Sequence, residues 1–200
     1  MFVLTVDQRH SRRGSDRVEA LLAAVAERSP ELVRPFERTA GDEVQAVAAR
    51  PDVVVDLTLF LVADQEWSVG VGVGRVSDPL PASTRAGSGP AFAHARAAVT
   101  AAKNRPTLLA VAGDKEPAVR RAQAALDLVA AVLQRRTERG NEAVALAREG
   151  LSQLEAARRL GVTKQAVSQR LQAADWHLEV PGRELATHLL SMAAGTVGGS

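Results

Sequence analysis

The chain has 200 residues, 46% apolar and 3% aromatic, with 25 Lys and Arg against 23 Asp and Glu and a formal net charge of +2. That length gives one large domain or two small ones, with a packed core filled mostly by Ala and Val. The near-neutral balance excludes a polycation that coats nucleic acid by bulk charge, and the absence of Cys excludes disulfides, thiolate metal sites and Cys nucleophiles.

No apolar stretch reaches membrane-spanning length. The N-terminal "MFVLTVDQRHSRRG" places an acidic residue where a signal peptide needs an apolar run. The expectation is a cytoplasmic protein without membrane contact.

In chain order, "FVLTVD" (2–7) is short, apolar and β-prone, and predicts a buried strand. "QRHSRRGS" is a polar loop, in which the basic 9–14 segment covers an anion, touches DNA or is simply solvated. Ser15 or Asp16 caps a helix to about Arg28, with Val18, Leu21, Leu22 and Val25 on its apolar face. A second strand ends near Ala40. "GDE" (41–43) is turn chemistry and "VQAVAA" the return strand. Pro51 opens a helix to about Ala63, with Val54, Val55, Leu57, Leu59 and Leu61 partly buried. "WSVGVGVGRVS" (67–77) alternates and predicts a strand, followed by loop, an Ala-rich helix from Ala91 to about Asn104, and a strand at 107–113. Glu116 to Arg139 predicts one long amphipathic helix that Gly140 breaks. Further helices are expected at 141–149, 153–160, 163–174 and 182–193. The expected organisation is an α+β domain (1–113), a connecting helix (114–140), an all-helical domain (141–194) and a disordered tail (195–200). The last helix carries Leu185, Leu189, Leu190 and Met192 at helical spacing, to close the small helical core or make a dimer contact.

The most specific stretch is "QLEAARRLGVTKQAVSQRLQ", 153–172. Ala157 is a small residue where two helices cross. Gly161 follows at the turn, and Ala156, Leu160, Val162, Val167 and Leu171 supply apolar packing. The pattern resembles the helix-turn-helix of many bacterial repressors. In that register Thr163 caps the second helix, and Lys164, Gln165, Ser168, Gln169 and Gln172 face outward. Gln bonds adenine bidentately, Lys bonds guanine or phosphate, and Ser bonds either. Arg158 and Arg159 sit near the backbone and position the unit. With Arg170, the bases in Leu151–Ala174 number four against the one acid, Glu155, a local excess suited to phosphate. The competing reading is an ordinary helical hairpin. Helix-turn-helix units of this size usually act as symmetric pairs on double-stranded DNA, so a homodimer is expected.

In the front half, Asp7 ends a strand, and Asp42 and Glu43 sit at a hairpin turn. In a β-α-β-β-α-β sheet those positions are neighbours. Two converging carboxylates repel unless a base or cation lies between them, and Mg²⁺ with a phosphate is the usual occupant. "GSGPAF" sets Gly89 before a helix N-terminus, which is either an anion site or a Pro-started helix after a loop. The glycines of "GVGVG" leave one strand face bare for a ligand, a second copy or a tightly packed helix. His94 has no second His beside it to make a metal site.

The order of Asp7, "GDE", the alternating glycines and "GPAFAHAR" resembles the class III nucleotidyl cyclase and diguanylate cyclase core. With the helix-turn-helix behind it, the chain resembles the SatD family over roughly 1–180, most specifically in "AGDEVQAV", "GPAFAHARAAV" and 153–172. The resemblance implies a ferredoxin-like, nucleotidyl cyclase-like domain followed by an all-α helix-turn-helix domain. It matches the two metal-binding Asp to Asp7 and Asp42 and the triphosphate Arg to Arg96. It sets Phe92 where the cyclases carry Asn, and Phe neither hydrogen-bonds nor orients a ribose. The reading is therefore a non-catalytic transcriptional regulator whose front domain dimerises or senses a nucleotide-like ligand. The alternatives are a metal-dependent cyclase-type enzyme and a pure interaction module.

Overall fold

A computed structural model describes residues 1–9, 16–28 and 31–195. The expected tail beyond Gly195, most of the basic 9–14 loop and Ser15 lie outside the described residues. The described chain is mixed α and β. Its strands are β1 (Phe2–Gln8), β2 (Arg34–Ala40), β3 (Glu43–Ala48), β4 (Trp67–Val73) and β5 (Leu109–Ala112). Helix α1 (Val18–Arg28) follows β1, α2 (Pro51–Ala63) follows β3, and α3 (Pro90–Ala102) links β4 to β5. The rest is helical: α4 (Glu116–Gln134), α5 (Glu138–Arg148), α6 (Gln153–Leu160), α7 (Lys164–Ala173) and α8 (Trp176–Ala194).

The sheet order is β2-β3-β1-β4-β5. The β2–β3, β3–β1 and β1–β4 pairs are antiparallel, and β4–β5 is parallel. A parallel neighbour needs a crossover, and α3 provides it. The β2–β3 hairpin closes Ala40 opposite Glu43, with Gly41 at φ 57°. That left-handed turn position favours glycine.

Strand alternation gives the sheet two different faces. Phe2, Leu4 and Val6, with Val44, Ala46 and Ala48 and with Val69, Val71 and Val73, join the large core shared with α1, α2, α4 and α8. Val3 and Val47 face the other way, onto Ala91, Phe92 and Ala95 of α3. Helix α2 packs on the sheet beside α4, with α8 against both, so Val54, Val55, Leu57, Leu59 and Leu61 are all buried, not partly buried as expected. Each such side chain contributes roughly 1.5–3 kcal/mol by leaving water.

Several boundaries differ from the sequence reading. The strand expected through Ser77 ends at Val73, where the Gly74 N–H donates to the Met1 carbonyl and the chain leaves the sheet. Helix α4 stops at Gln134 rather than Arg139. Thr137 opens α5 by accepting a hydrogen bond from the Gly140 N–H at 3.1 Å. Gly140 is therefore inside a helix, not at its break. A Cβ there would lie 3.4 Å from the Ala174 Cβ, at ordinary contact distance. Helix α8 begins at Trp176 and runs through Pro181, instead of starting after it. Proline removes one helical bond but does not end a helix held by tertiary contacts. The apolar face of α8 does not close the small helical core. Ala186, Leu190 and Ala193 join the large core beside α4 and α2, while Leu185 is exposed.

Candidate nucleic-acid interface

Helices α6 and α7 form a tight pair on a small core of their own. Leu146, Ala156, Ala157 and Val167 are buried together, with Leu151, Leu160, Val162 and Leu171 packed around them. Local chemistry fixes both helix starts. Ser152 caps α6 with a reciprocal bond to Glu155, a capping box. The hydrogen bonds from the Ser152 hydroxyl and N–H hold the Glu155 carboxyl below its ordinary value. Thr163 caps α7, its hydroxyl oxygen accepting from the Ala166 N–H at 3.1 Å. Between them, Gly161 adopts φ 65°, ψ 33°. The Val162 N–H donates to the Ala157 carbonyl at 3.0 Å and the Gly161 N–H to the Arg158 carbonyl at 3.4 Å. That crossed pair of bonds ends α6 and turns the chain sharply into α7.

The outer flank of this pair is open. Thr163, Lys164, Gln165, Ser168, Gln169 and Gln172 are exposed, as are Arg158 and Arg159 on α6. Among the described residues, the side chains of Lys164, Gln165, Ser168, Gln169 and Gln172 are not tied to other parts of the fold. Arg170 departs from the expected set. Its side chain is 21% exposed and meets Glu142 of α5 at 3.2 Å. It docks α7 on α5 instead of facing outward.

Several of the front-half candidates are tied to protein partners. The Asp7 carboxylate is paired with Lys103 Nζ at 2.7 Å, at the end of α3. A base therefore occupies the place reserved for a cation. Asp42 stays on the hairpin turn, half-buried, and Glu43, directly opposite Asp7, accepts from the Thr39 hydroxyl at 2.7 Å. Among the described residues no group of three or more His, Asp or Glu could hold a metal. Asp7 and Asp42 thus do not fit the Mg²⁺ site that the resemblance implied.

At Gly89 the backbone is at φ 116°, and a Cβ would meet the Ser77 N at 2.8 Å. The first α3 amides are already used: Ala91 N–H donates to the Arg75 carbonyl at 3.0 Å, and Phe92 and Ala93 donate to Gly89. Of the two readings of this segment, an anion site or a Pro-started helix after a loop, these bonds favour the second. Phe92 is buried beneath Gly87 and packs in the α3 core. Arg96 is exposed on α3, away from that core. His94 bonds the Val73 carbonyl at 2.8 Å and lies 3.3 Å from Asp114. The bare glycine face is filled by α3: a Cβ at Gly70 would lie 2.6 Å from the Ala95 carbonyl and 2.7 Å from the Val99 Cα.

No family model, curated protein or solved structure matches the chain.

The sequence reading missed the most strongly built polar cluster. Glu179 of α8 is 1% exposed on its side chain. It accepts from Arg136 Nη1 at 2.5 Å, from Arg183 Nε at 2.9 Å and from Arg148. Burial pushes the Glu179 carboxyl up, but the bonds from Arg148 and Arg136, with the charges of Arg148 and Arg183, outweigh it and hold the group below its ordinary value. These residues come from the α4–α5 turn, α5 and α8. Only the four-residue spacing of Glu179 and Arg183 was visible in the sequence.

Proposed function

We propose that the chain is a DNA-binding transcriptional regulator in which α6 and α7 act as a helix-turn-helix. The single observation that carries this is the exposed, hydrogen-bond-rich flank of α7 on a capped and sharply turned helix pair. Lys164, Gln165, Ser168, Gln169 and Gln172 present donors and acceptors of the kind that read base edges in a major groove. Arg158 and Arg159 stand beside them as phosphate contacts. The antiparallel β2-β3-β1-β4 order, with helices after β1 and β3, supports a ferredoxin-like front half of the SatD and cyclase kind. The ion-paired Asp7 and the buried Phe92 favour a front half that does no phosphoryl-transfer chemistry. Recognition by such units uses two-fold half-sites, so the acting species in this reading is a homodimer on double-stranded DNA.

The test is retention of a randomised duplex pool at several salt concentrations. Wild type retains duplex, and its affinity falls steeply as salt rises, because phosphate contacts release counterions. Changing Lys164 and Gln165 together to Ala weakens binding to the selected sequence, by about 1–3 kcal/mol for each lost base contact. Absence of retention at low salt, or retention indifferent to the double change, overturns the proposal.

A further inference from the structure

The Glu179 cluster lines a cleft of about 340 Å³ between α2, the α4–α5 turn, α5 and α8. Four arginines, Arg28, Arg136, Arg148 and Arg183, stand around it against two carboxylates, Glu179 and Asp56. Both acids are already paired with arginine. Glu179 is bonded by three of the arginines, and Asp56 accepts from Arg183 Nη1 at 3.1 Å. The positive charge is left in excess in a partly enclosed space.

Arg136 makes the imbalance specific. Its side chain is 2% exposed. Nε donates to the Ala174 carbonyl at 2.8 Å and Nη1 to Glu179, but Nη2 is buried without a partner. A buried guanidinium nitrogen left unbonded is costly, and native interiors rarely keep one without a reason. Arg148 and Arg28 also keep N–H groups in reserve, since each guanidinium carries five. Apart from Asn141 the remaining walls are apolar and aromatic, among them Leu59 and Phe60 of α2 and the half-buried Trp176 of α8. Arg28 lies over the Phe60 ring at 4.1 Å, and Arg148 stands 5.8 Å from the Trp176 ring centre.

We infer that this cleft binds a small organic oxyanion, with its carboxylate or phosphate group against Arg148, in the field of the enclosed Arg136 and of Arg28, and a planar unsaturated body against Trp176 and Phe60. Guanidinium groups match either oxyanion with paired N–H bonds. The volume is at the small end for ligand pockets, so the occupant is a single-ring metabolite and not a dinucleotide. The inference does not depend on whether α7 reads DNA.

The experiment titrates the full chain, without DNA, with benzoate, phenyl phosphate and benzyl alcohol, by calorimetry and by thermal unfolding. One or both anions bind and raise the unfolding midpoint, and neutral benzyl alcohol does neither. The tighter anion identifies the oxyanion as carboxylate or phosphate. Arg148→Gln weakens the anion about tenfold or more, the loss expected of a charge-assisted bond, and Arg136→Gln weakens it through the lost positive charge. Arg148 is 48% exposed on its side chain, so Arg148→Gln keeps the fold and decides the matter if Arg136→Gln does not. Failure of both anions to bind folded wild type overturns the inference, as does equal binding by folded Arg148→Gln or equal binding of benzyl alcohol.

Discussion

Replacing Gly72 by Ala tests how the sheet is covered. Gly72 sits in β4 opposite Val3, under α3. An added Cβ would lie 2.8 Å from the Ala95 Cα and closer still to the Ala91 carbonyl and the Ala95 amide. All three are backbone atoms of one helix, so no side chain can swing aside. The helix must lift off the strand by about 1.5 Å or more to restore ordinary contact distances near 3.5–4.0 Å. Overpacking of this kind costs typically 1–3 kcal/mol, and rigid backbone neighbours place it at the upper end. Gly41→Ala is the matched control. It has the same added methyl at φ 57° but nothing within 4 Å, so it meets only left-handed strain of about 1–2 kcal/mol. For a chain of this length each kcal/mol moves the thermal midpoint by roughly 2–4 °C. Urea and thermal unfolding of both variants should therefore rank Gly72→Ala clearly below Gly41→Ala. The same ranking should hold for proteolysis within α3. An equal or milder effect at Gly72 would show that α3 is not seated on the glycines, and would reopen that face to a ligand or a second copy.

Two further outcomes follow from the ion pairs. Glu179→Gln strands buried Arg136 without its counter-charge and should cost about 3–5 kcal/mol in urea unfolding. The folded Glu179 carboxyl lies below its unfolded value, so its contribution is fully present above about pH 4.3 and is lost as pH falls through the folded value. An acid-unfolding curve of the Gln variant should lack that component, and identical acid limbs would contradict the pairing. Millimolar Mg²⁺ or Mn²⁺ should leave the wild-type unfolding midpoint unchanged, because Lys103 already holds Asp7. A metal-dependent rise, enlarged in Lys103→Ala, would restore the carboxylate pair as a cation site.

The local features came from the sequence because their causes are local. A capping Ser or Thr, a glycine at a left-handed turn and apolar residues at helical spacing act within a few positions. That is why the α6–α7 pair, its turn at Gly161 and its outward polar residues were legible from 153–172 alone. The two-residue turn at Gly41 and the start of α2 at Pro51 were legible for the same reason. Gly140 and Pro181 misled because each is a local breaker overruled by its surroundings: the Thr137 cap that starts α5 three residues before the glycine, and α4 packed along α8.

Which residues meet across the chain was decided by tertiary structure. Sequence placed Asp7 beside a hairpin carboxylate, but the crossover through α3 brought Lys103 to it first. Alternation showed that the β4 glycines leave a bare face, yet only the packing shows that α3 occupies it. Arg136, Arg148 and Glu179 carry no mutual pattern because their helices meet only when α8 folds back on α4 and α2. Periodicity reports which way a residue faces within its own element, while charge pairing and enclosed space depend on how separate elements approach.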